Sequence, residues 1–320
     1  MTTKQAWGGF WLLALIWGSS FLFIRIGVEQ LPPFQLVFVR TAIAAIGLHL
    51  VLALRGRRMP TDRHSLSSLL FLGIVNTVFP FALITWGETR IDSGLASVLQ
   101  GTAALFTLVV AHFTFADERI TLRKVVGLLI GFLGVVVLAS RGMGSTAAGP
   151  AADLLGQMAI VVASFCYALG GTYSRKAIQN RLEPMAVAAG SMTVAAIITG
   201  AIAYLSPAFG GPAPANLAAL RPDVLGAVLA LGLVNTFGAY LIFYPLVAVL
   251  GAARTSMVTY VIPVVGLILG AIFLGEQVDM RLVAGTAMIV GGVGIVNLSI
   301  RPLLGSLVAA AKKRAKAPAS

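Results

Sequence analysis

The sequence predicts an all-α polytopic membrane protein, ten transmembrane helices arranged as two inverted five-helix repeats. Three observations predict it: an apolar composition cut into span-length pieces, a one-sided distribution of cations, and a chain that repeats itself. Of 320 residues, 58% are apolar and 11% are charged, and the mean hydropathy is +0.94. Soluble domains carry about 25% charged residues, so a water-soluble globule is excluded. A net charge of +12 can point to nucleic acid or to an anionic membrane surface. Here the cations sit in short loops between apolar runs, so the lipid bilayer is the expected partner and nucleic acid is not.

A bilayer-spanning helix needs about 20 mostly apolar residues. The first apolar run, 7–27, is longer than a signal-peptide core and lacks a small-residue cleavage site, so it reads as a retained helix. Runs at 33–54, 66–87, 93–115 and 122–140 complete a set of five. A second set follows at 154–174, 184–205, 223–247, 253–274 and 280–300. The longest connections are 141–153, rich in Gly and Ala, and 206–222, rich in Pro and Ala. The chain has 35 glycines, and small residues let membrane helices approach closely. Gly127/Gly131 and Gly266/Gly270 read as such packing pairs. The single cysteine, Cys166, lies in an apolar run and leaves no intrachain disulfide.

The cations divide unevenly. With the N-terminus inside, 17 Lys and Arg face the cytoplasm, among them Lys4, Arg55, Arg57, Arg58, Arg63, Arg123, Arg175, Lys176 and Arg254. Five face outward: Arg25, Arg90, Arg141, Arg221 and Arg281. The positive-inside rule then places both termini in the cytoplasm, in what reads as a bacterial inner membrane. The tail, 301–320, carries Lys312, Lys313, Arg314 and Lys316 and is expected at the anionic membrane surface or disordered.

The repeat appears in two stretches. LGIVNT at 72–77 recurs as LGLVNT at 231–236, and Glu118, Arg123, Gly127 and Gly134 recur as Glu276, Arg281, Gly285 and Gly292. The expected units are 1–145 and 150–300, followed by the basic tail. Five spans is an odd number, so the second unit is inverted. Inverted repeats point to a transporter with a central site and alternating access.

Polar groups inside the spans are the candidate site. Arg40 is the one intramembrane cation, and it must be paired, hydrated or snorkelling. It reads either as a guanidinium that draws a substrate carboxylate or as a structural cation paired with carbonyls. Asn76 and Asn235 lie deep in the third span of each unit. Their amides suit a zwitterion, or an interhelical hydrogen bond. Trp17, Phe79, Tyr167, Tyr240 and Tyr260 are candidates to line an otherwise apolar cavity, with Ser20 and Gln100 adding hydrogen bonds. Pro80 and Pro263 are expected to kink their helices, for gating or for packing. All eleven carboxylates fall at helix ends or in loops, which argues against a mid-membrane carboxylate that binds cation and proton. No Walker A, HExxH, GxSxG or CxxC sequence occurs, so no metal, cofactor or catalytic residue is expected.

Together these features resemble the drug/metabolite transporter superfamily in its ten-helix EamA-type branch. WGSSFLFIRIGVEQLPPFQLVFVR at 17–40, ADERIT at 116–121, LGEQVD at 274–279 and Pro263 carry the resemblance. The first unit departs from it, with Ala104 or Leu105 at the Pro place and Asp117 at the Gly place. Within the superfamily the chain looks most like the YddG-type amino-acid exporters. The resemblance implies a cavity surrounded by spans 1, 3, 4, 6, 8 and 9, with spans 5 and 10 as a buttress, in a monomer or homodimer. It implies export or facilitated passage of amino acids and related small metabolites. An organophosphate or nucleotide-sugar antiporter on the same fold, or a membrane-embedded enzyme, are the alternatives. The first needs convergent cations and the second clustered acid–base groups.

Overall fold

A computed structural model describes residues 2–115, 120–140, 150–179 and 182–297. The expectations for Asp117, Glu118 and the basic tail fall outside these residues. Every regular element among the described residues is helical. In chain order they are α1 Thr3–Gly27, α2 Pro33–Leu54, α3 Arg63–Gly87, α4 Ser93–Thr114 and α5 Leu122–Ala139. The second set is α6 Pro150–Gln179, α7 Pro184–Leu205, α8 Pro222–Leu250, α9 Arg254–Leu274 and α10 Met280–Asn297. Nine are long and apolar enough to cross a bilayer, and α10 is a shorter apolar helix over its described length.

Local chemistry starts these helices. Thr2 and Gln5 form a reciprocal cap on α1, Asp62 accepts from the Ser65 N–H at α3, and Thr121 accepts from the Lys124 N–H at α5. Each cap satisfies a backbone donor that the first helical turn leaves without a partner. Proline opens α2, α7 and α8, where its missing N–H costs nothing.

The repeated LG-V-NT stretches share an unusual backbone. Both fall in π-helical turns, Ile74–Val78 within α3 and Ala230–Gly238 within α8. Such bulges are rare and concentrate at functional sites. Pro80 follows the first of them directly. Pro263 lies inside the α-helical stretch Val258–Leu274, and α9 is also interrupted earlier, at Met257. In α4 the break falls at Gly101–Thr102 without any proline.

The two repeats interleave. The third helix of each packs on the second helix of the other, through the glycine of the shared motif. A Cβ on Gly73 would lie 2.5 Å from Val194 Cβ of α7, and one on Gly232 would lie 2.8 Å from Ile43 Cβ of α2. α1 packs on α9 where Gly18 meets Val265. α5 and α10 pack on one another, as expected of a buttress. A Cβ on Gly134 would lie 2.9 Å from the Gly285 carbonyl oxygen. Arg281 closes that pair by donating to the Ser140 carbonyl at 2.9 Å.

The two ends of the bundle differ. At the end carrying the α1–α2, α3–α4 and α7–α8 turns, one apolar cluster joins both repeats. It includes Phe21 and Ile24 of α1, Leu36 of α2, Ile84 of α3, Leu95 and Leu99 of α4, Ile160 of α6, Val224 and Val228 of α8 and Ile262 of α9. The α7–α8 loop is strapped over this end. The buried Gln35 amide pairs with the Ala215 backbone in both directions, each at 2.8 Å. Arg221 bonds Glu29 at 2.6 Å through its side chain and Gln30 at 2.8 Å through its N–H. At the opposite end, α1, α8 and α9 form one cluster around Phe10, Leu13, Leu246 and Val258. α3, α6 and α7 form another around Leu69, Leu72, Ala177 and Val187. One cluster thus seals the first end, whereas the packing of the opposite end is divided among separate clusters, with another around Leu48, Leu52, Met185 and Ala188 joining α2 to α7.

Candidate functional site

The site is built outward from Arg40, about two turns into α2. Its side chain is buried, and three other helices hold it. Its Nε donates to Thr236 Oγ1 of α8 at 2.8 Å. Its guanidinium carbon lies 4.0 Å from the centroid of the Phe81 ring of α3, a cation–π contact. Tyr167 of α6 and Tyr240 of α8 are within its electrostatic reach, as is Glu88 after α3.

The π-helical turn explains how Thr236 comes to face Arg40. Its hydroxyl donates to the Leu231 carbonyl, five residues back, at 2.7 Å. With its single proton spent there, the oxygen can only accept from Arg40. One hydrogen bond therefore sets the direction of the next. Among the described residues the only hydrogen bond of Arg40 is this one, through Nε, and its two terminal nitrogens make none. Those four N–H groups form a fork that matches a carboxylate.

Aromatic rings extend the site along α8. Tyr240 and Tyr244 stack at 5.8 Å, Phe243 meets Tyr244 edge-on at 5.5 Å, and Phe243 meets Trp17 of α1 at 5.5 Å. Trp17 and Tyr167 stand in corresponding places in the first helix of each repeat, both half-buried. Arg40, Tyr167 and Tyr240 thus come together, with Trp17 linked to them through the α8 rings.

The two asparagines part company. Asn235 is buried, and its amide donates to the Ile16 carbonyl and to Ser19 Oγ at 3.0 Å and Ser20 Oγ at 3.1 Å. It binds α8 to α1, and Ser20 is one of its acceptors. Asn76 is half-buried and fits against Gly170 of α6, where a Cβ would lie 2.5 Å from Asn76 Cβ. Gln100 is half-buried at the break in α4. Pro263 sits beside that break, 3.4 Å from where a Gly101 Cβ would be, and its carbonyl accepts from Ser97 Oγ. Tyr260 is half-buried on α9. Phe79 is 50% exposed. Phe81 is the α3 ring that reaches Arg40.

Sequence reasoning missed Phe81 and Thr236. Thr236 is the last residue of the repeated motif, directly after Asn235, and its recurrence there is the signal that points to it. Glu276 has a role that its motif did not disclose. Its carboxylate accepts from the Ser93 N–H at 2.7 Å and the Gly94 N–H at 2.8 Å, across the bundle at the start of α4. A carboxylate at a helix N-terminus satisfies free donors and complements the helix dipole.

Known proteins support this architecture. The chain is 31% identical to an uncharacterized transporter of Archaeoglobus fulgidus, over 89% of this chain and 96% of that one. It is 30% identical to the uncharacterized inner membrane transporter YedA of Escherichia coli K12, over 91% and 90%. It is 25% identical to a probable amino-acid metabolite efflux pump of Salmonella typhimurium, over 89% and 92%. A solved crystal structure superposes with a TM-score of 0.63 at 20% identity, covering 94% of this chain and 99% of that chain. That likeness speaks for the fold. The EamA-like transporter family matches residues 7–140 and again 154–298. With both helical sets covered and relatives aligned along nearly their whole length, the chain belongs to the EamA-like transporter family, and it is a multi-pass membrane transporter.

Proposed function

We propose that this transporter moves amino acids and related small metabolites across the bacterial inner membrane by alternating access, with no enzymatic step. With both termini in the cytoplasm, the sealed end faces outward and the divided end faces the cytoplasm. The division of packing at that end supports an inward-facing state that loads cytoplasmic substrate for export. The observation that carries this reading is Arg40. A buried guanidinium has one nitrogen fixed by Thr236, a ring against its face and its remaining donors free. It supports capture of a carboxylate, while Trp17, Tyr167, Tyr240 and Tyr244 offer apolar surface for a side chain. The amide of Asn76 suits a substrate amine as acceptor. The Salmonella relative named as an amino-acid metabolite efflux pump favours the same substrate class.

The test is uptake of a panel of labelled amino acids into proteoliposomes, by the native chain and by Arg40→Met. Saturable uptake that the variant loses supports the reading. Folded native protein that moves no amino acid refutes the substrate class.

A further inference from the structure

The sealed end encloses a carboxylate. Glu88, directly after α3, is 0% exposed, and among the described residues neither of its carboxylate oxygens has a hydrogen-bond partner. An ionised carboxylate in that setting loses its hydration with nothing in exchange.

Among the described residues, no charged group around it bonds its carboxylate. Arg25 of α1 donates at 2.5 Å to the backbone carbonyl of Glu88 and not to its carboxylate. Arg40 of α2 is bonded to Thr236. Glu276, from the α9–α10 turn, is a second carboxylate held on the start of α4. On α6, Gly156 packs against the Gly87 backbone. Nearby on that helix, Asp153 is buried with a partner of its own, and the buried Gln157 amide has no hydrogen-bond partner among the described residues. On the turn itself, Arg90 lies over the Trp86 ring at 3.6 Å, and Asp92 is partnered. Burial, reinforced by Glu276 and opposed by Arg25 and Arg40, pushes the Glu88 carboxyl well above the usual carboxylate range.

We propose that Glu88 is a proton-binding site, occupied while this end is sealed and emptied when it opens. On opening, water reaches the carboxylate, the O–H bond breaks and one proton passes to that water. On sealing, one proton returns from the same side and the neutral acid is buried again. The proposal rests on the alternating-access reading. It adds that the balance between sealed and open states shifts with pH. One linked proton changes that balance by up to about tenfold per pH unit between the open-state and sealed-state pKa values.

The experiment uses the full chain in proteoliposomes, with Cys166→Ser and one reporter, Val224→Cys, inside the sealing cluster. The rate of labelling by a water-soluble thiol reagent is measured from about pH 5 to about pH 9, where a raised carboxyl titrates. Each rate is divided by that of the same protein carrying Glu88→Gln, which cancels the reporter's own ionisation. The expected ratio is near one in acid and climbs with pH. Glu88→Asp should climb too. A ratio that stays flat, in protein whose Gln variant melts like the native chain in acid, overturns the proposal and leaves alternating access standing. A reporter that never labels at any pH in any variant overturns both.

Discussion

Replacing Arg40 by Met removes the fork while keeping the length and apolar stem of the side chain. The structure says what is lost and what survives. The Met side chain still packs on Phe81, which Arg40 approaches at 4.0 Å. Thr236 still donates to the Leu231 carbonyl at 2.7 Å, so the π-helical turn keeps its hydrogen bond. No charged partner is stranded by direct contact, because the hydrogen bond of Arg40 goes to a hydroxyl. Folding should therefore change little. Binding should change a great deal. A hydrogen bond to a charged group is worth about 1.5–3 kcal/mol, and about 1.4 kcal/mol is a factor of ten. Loss of the fork should raise Kd for a carboxylate substrate by about 10- to 150-fold. Arg40→Lys keeps charge but offers no planar fork, and should fall between. The assay is equilibrium binding to purified protein, beside a thermal melt as folding control, with each amino acid compared with its methyl ester. The native chain should prefer the free acid and the Met variant should not. Unchanged Kd and unchanged preference in the Met variant would refute the assigned role of Arg40.

Other predictions follow from contacts elsewhere. Thr236→Val deletes the hydroxyl that positions Arg40 and leaves Nε–H without its acceptor, at a cost of about 1–3 kcal/mol; Thr236→Ser should restore most of the loss in denaturation measurements. Gly134→Leu would drive a side chain into the Gly285 backbone, 2.9 Å from the first added carbon, and should separate α5 from α10, seen as faster hydrogen exchange in both. Gln35→Leu breaks the two bonds to Ala215, so exchange should rise at 212–221 and the sealed end should open more readily. At the α2–α3 turn, bonds from the Ser65 hydroxyl and N–H hold the Asp62 carboxyl below its usual value. The stabilisation it gives is present above the ordinary carboxylate pKa and is lost as pH falls through the lowered one; Asp62→Asn should remove that part of the acid sensitivity.

Much of the architecture was legible because hydropathy and charge report depth in a bilayer directly. The ten helices and the shared motif follow from residues visible in the chain, whereas the buttress of α5 and α10 is what the family resemblance implies. What hydropathy does not report is which face of a helix a residue occupies. Glu88 reads as a loop residue at a helix end, yet the short α3–α4 turn folds inward and buries it. Phe79 and Phe81 are equally apolar, and only the helical phase after the π-turn decides that Phe81 meets Arg40. Asn76 and Asn235 are identical in the repeat, but their neighbours differ. α1 offers Ser19 and Ser20 to one, and α6 offers Gly170 to the other. The interruption of α9 at Met257, six residues before Pro263, has no proline to announce it.

The central claim is that the bundle alternates between ends, sealed on one side when divided on the other. Spin labels placed in pairs test it most directly. One pair, at Lys176 and Arg254, spans the two clusters of the divided end; a second, at Thr89 and Asp223, spans the sealed end. Distance distributions in lipid, with and without a transported amino acid, should show opposite changes: the first pair draws together while the second separates. If both pairs move in the same direction, or if neither distribution shifts when substrate binds, the claim is wrong.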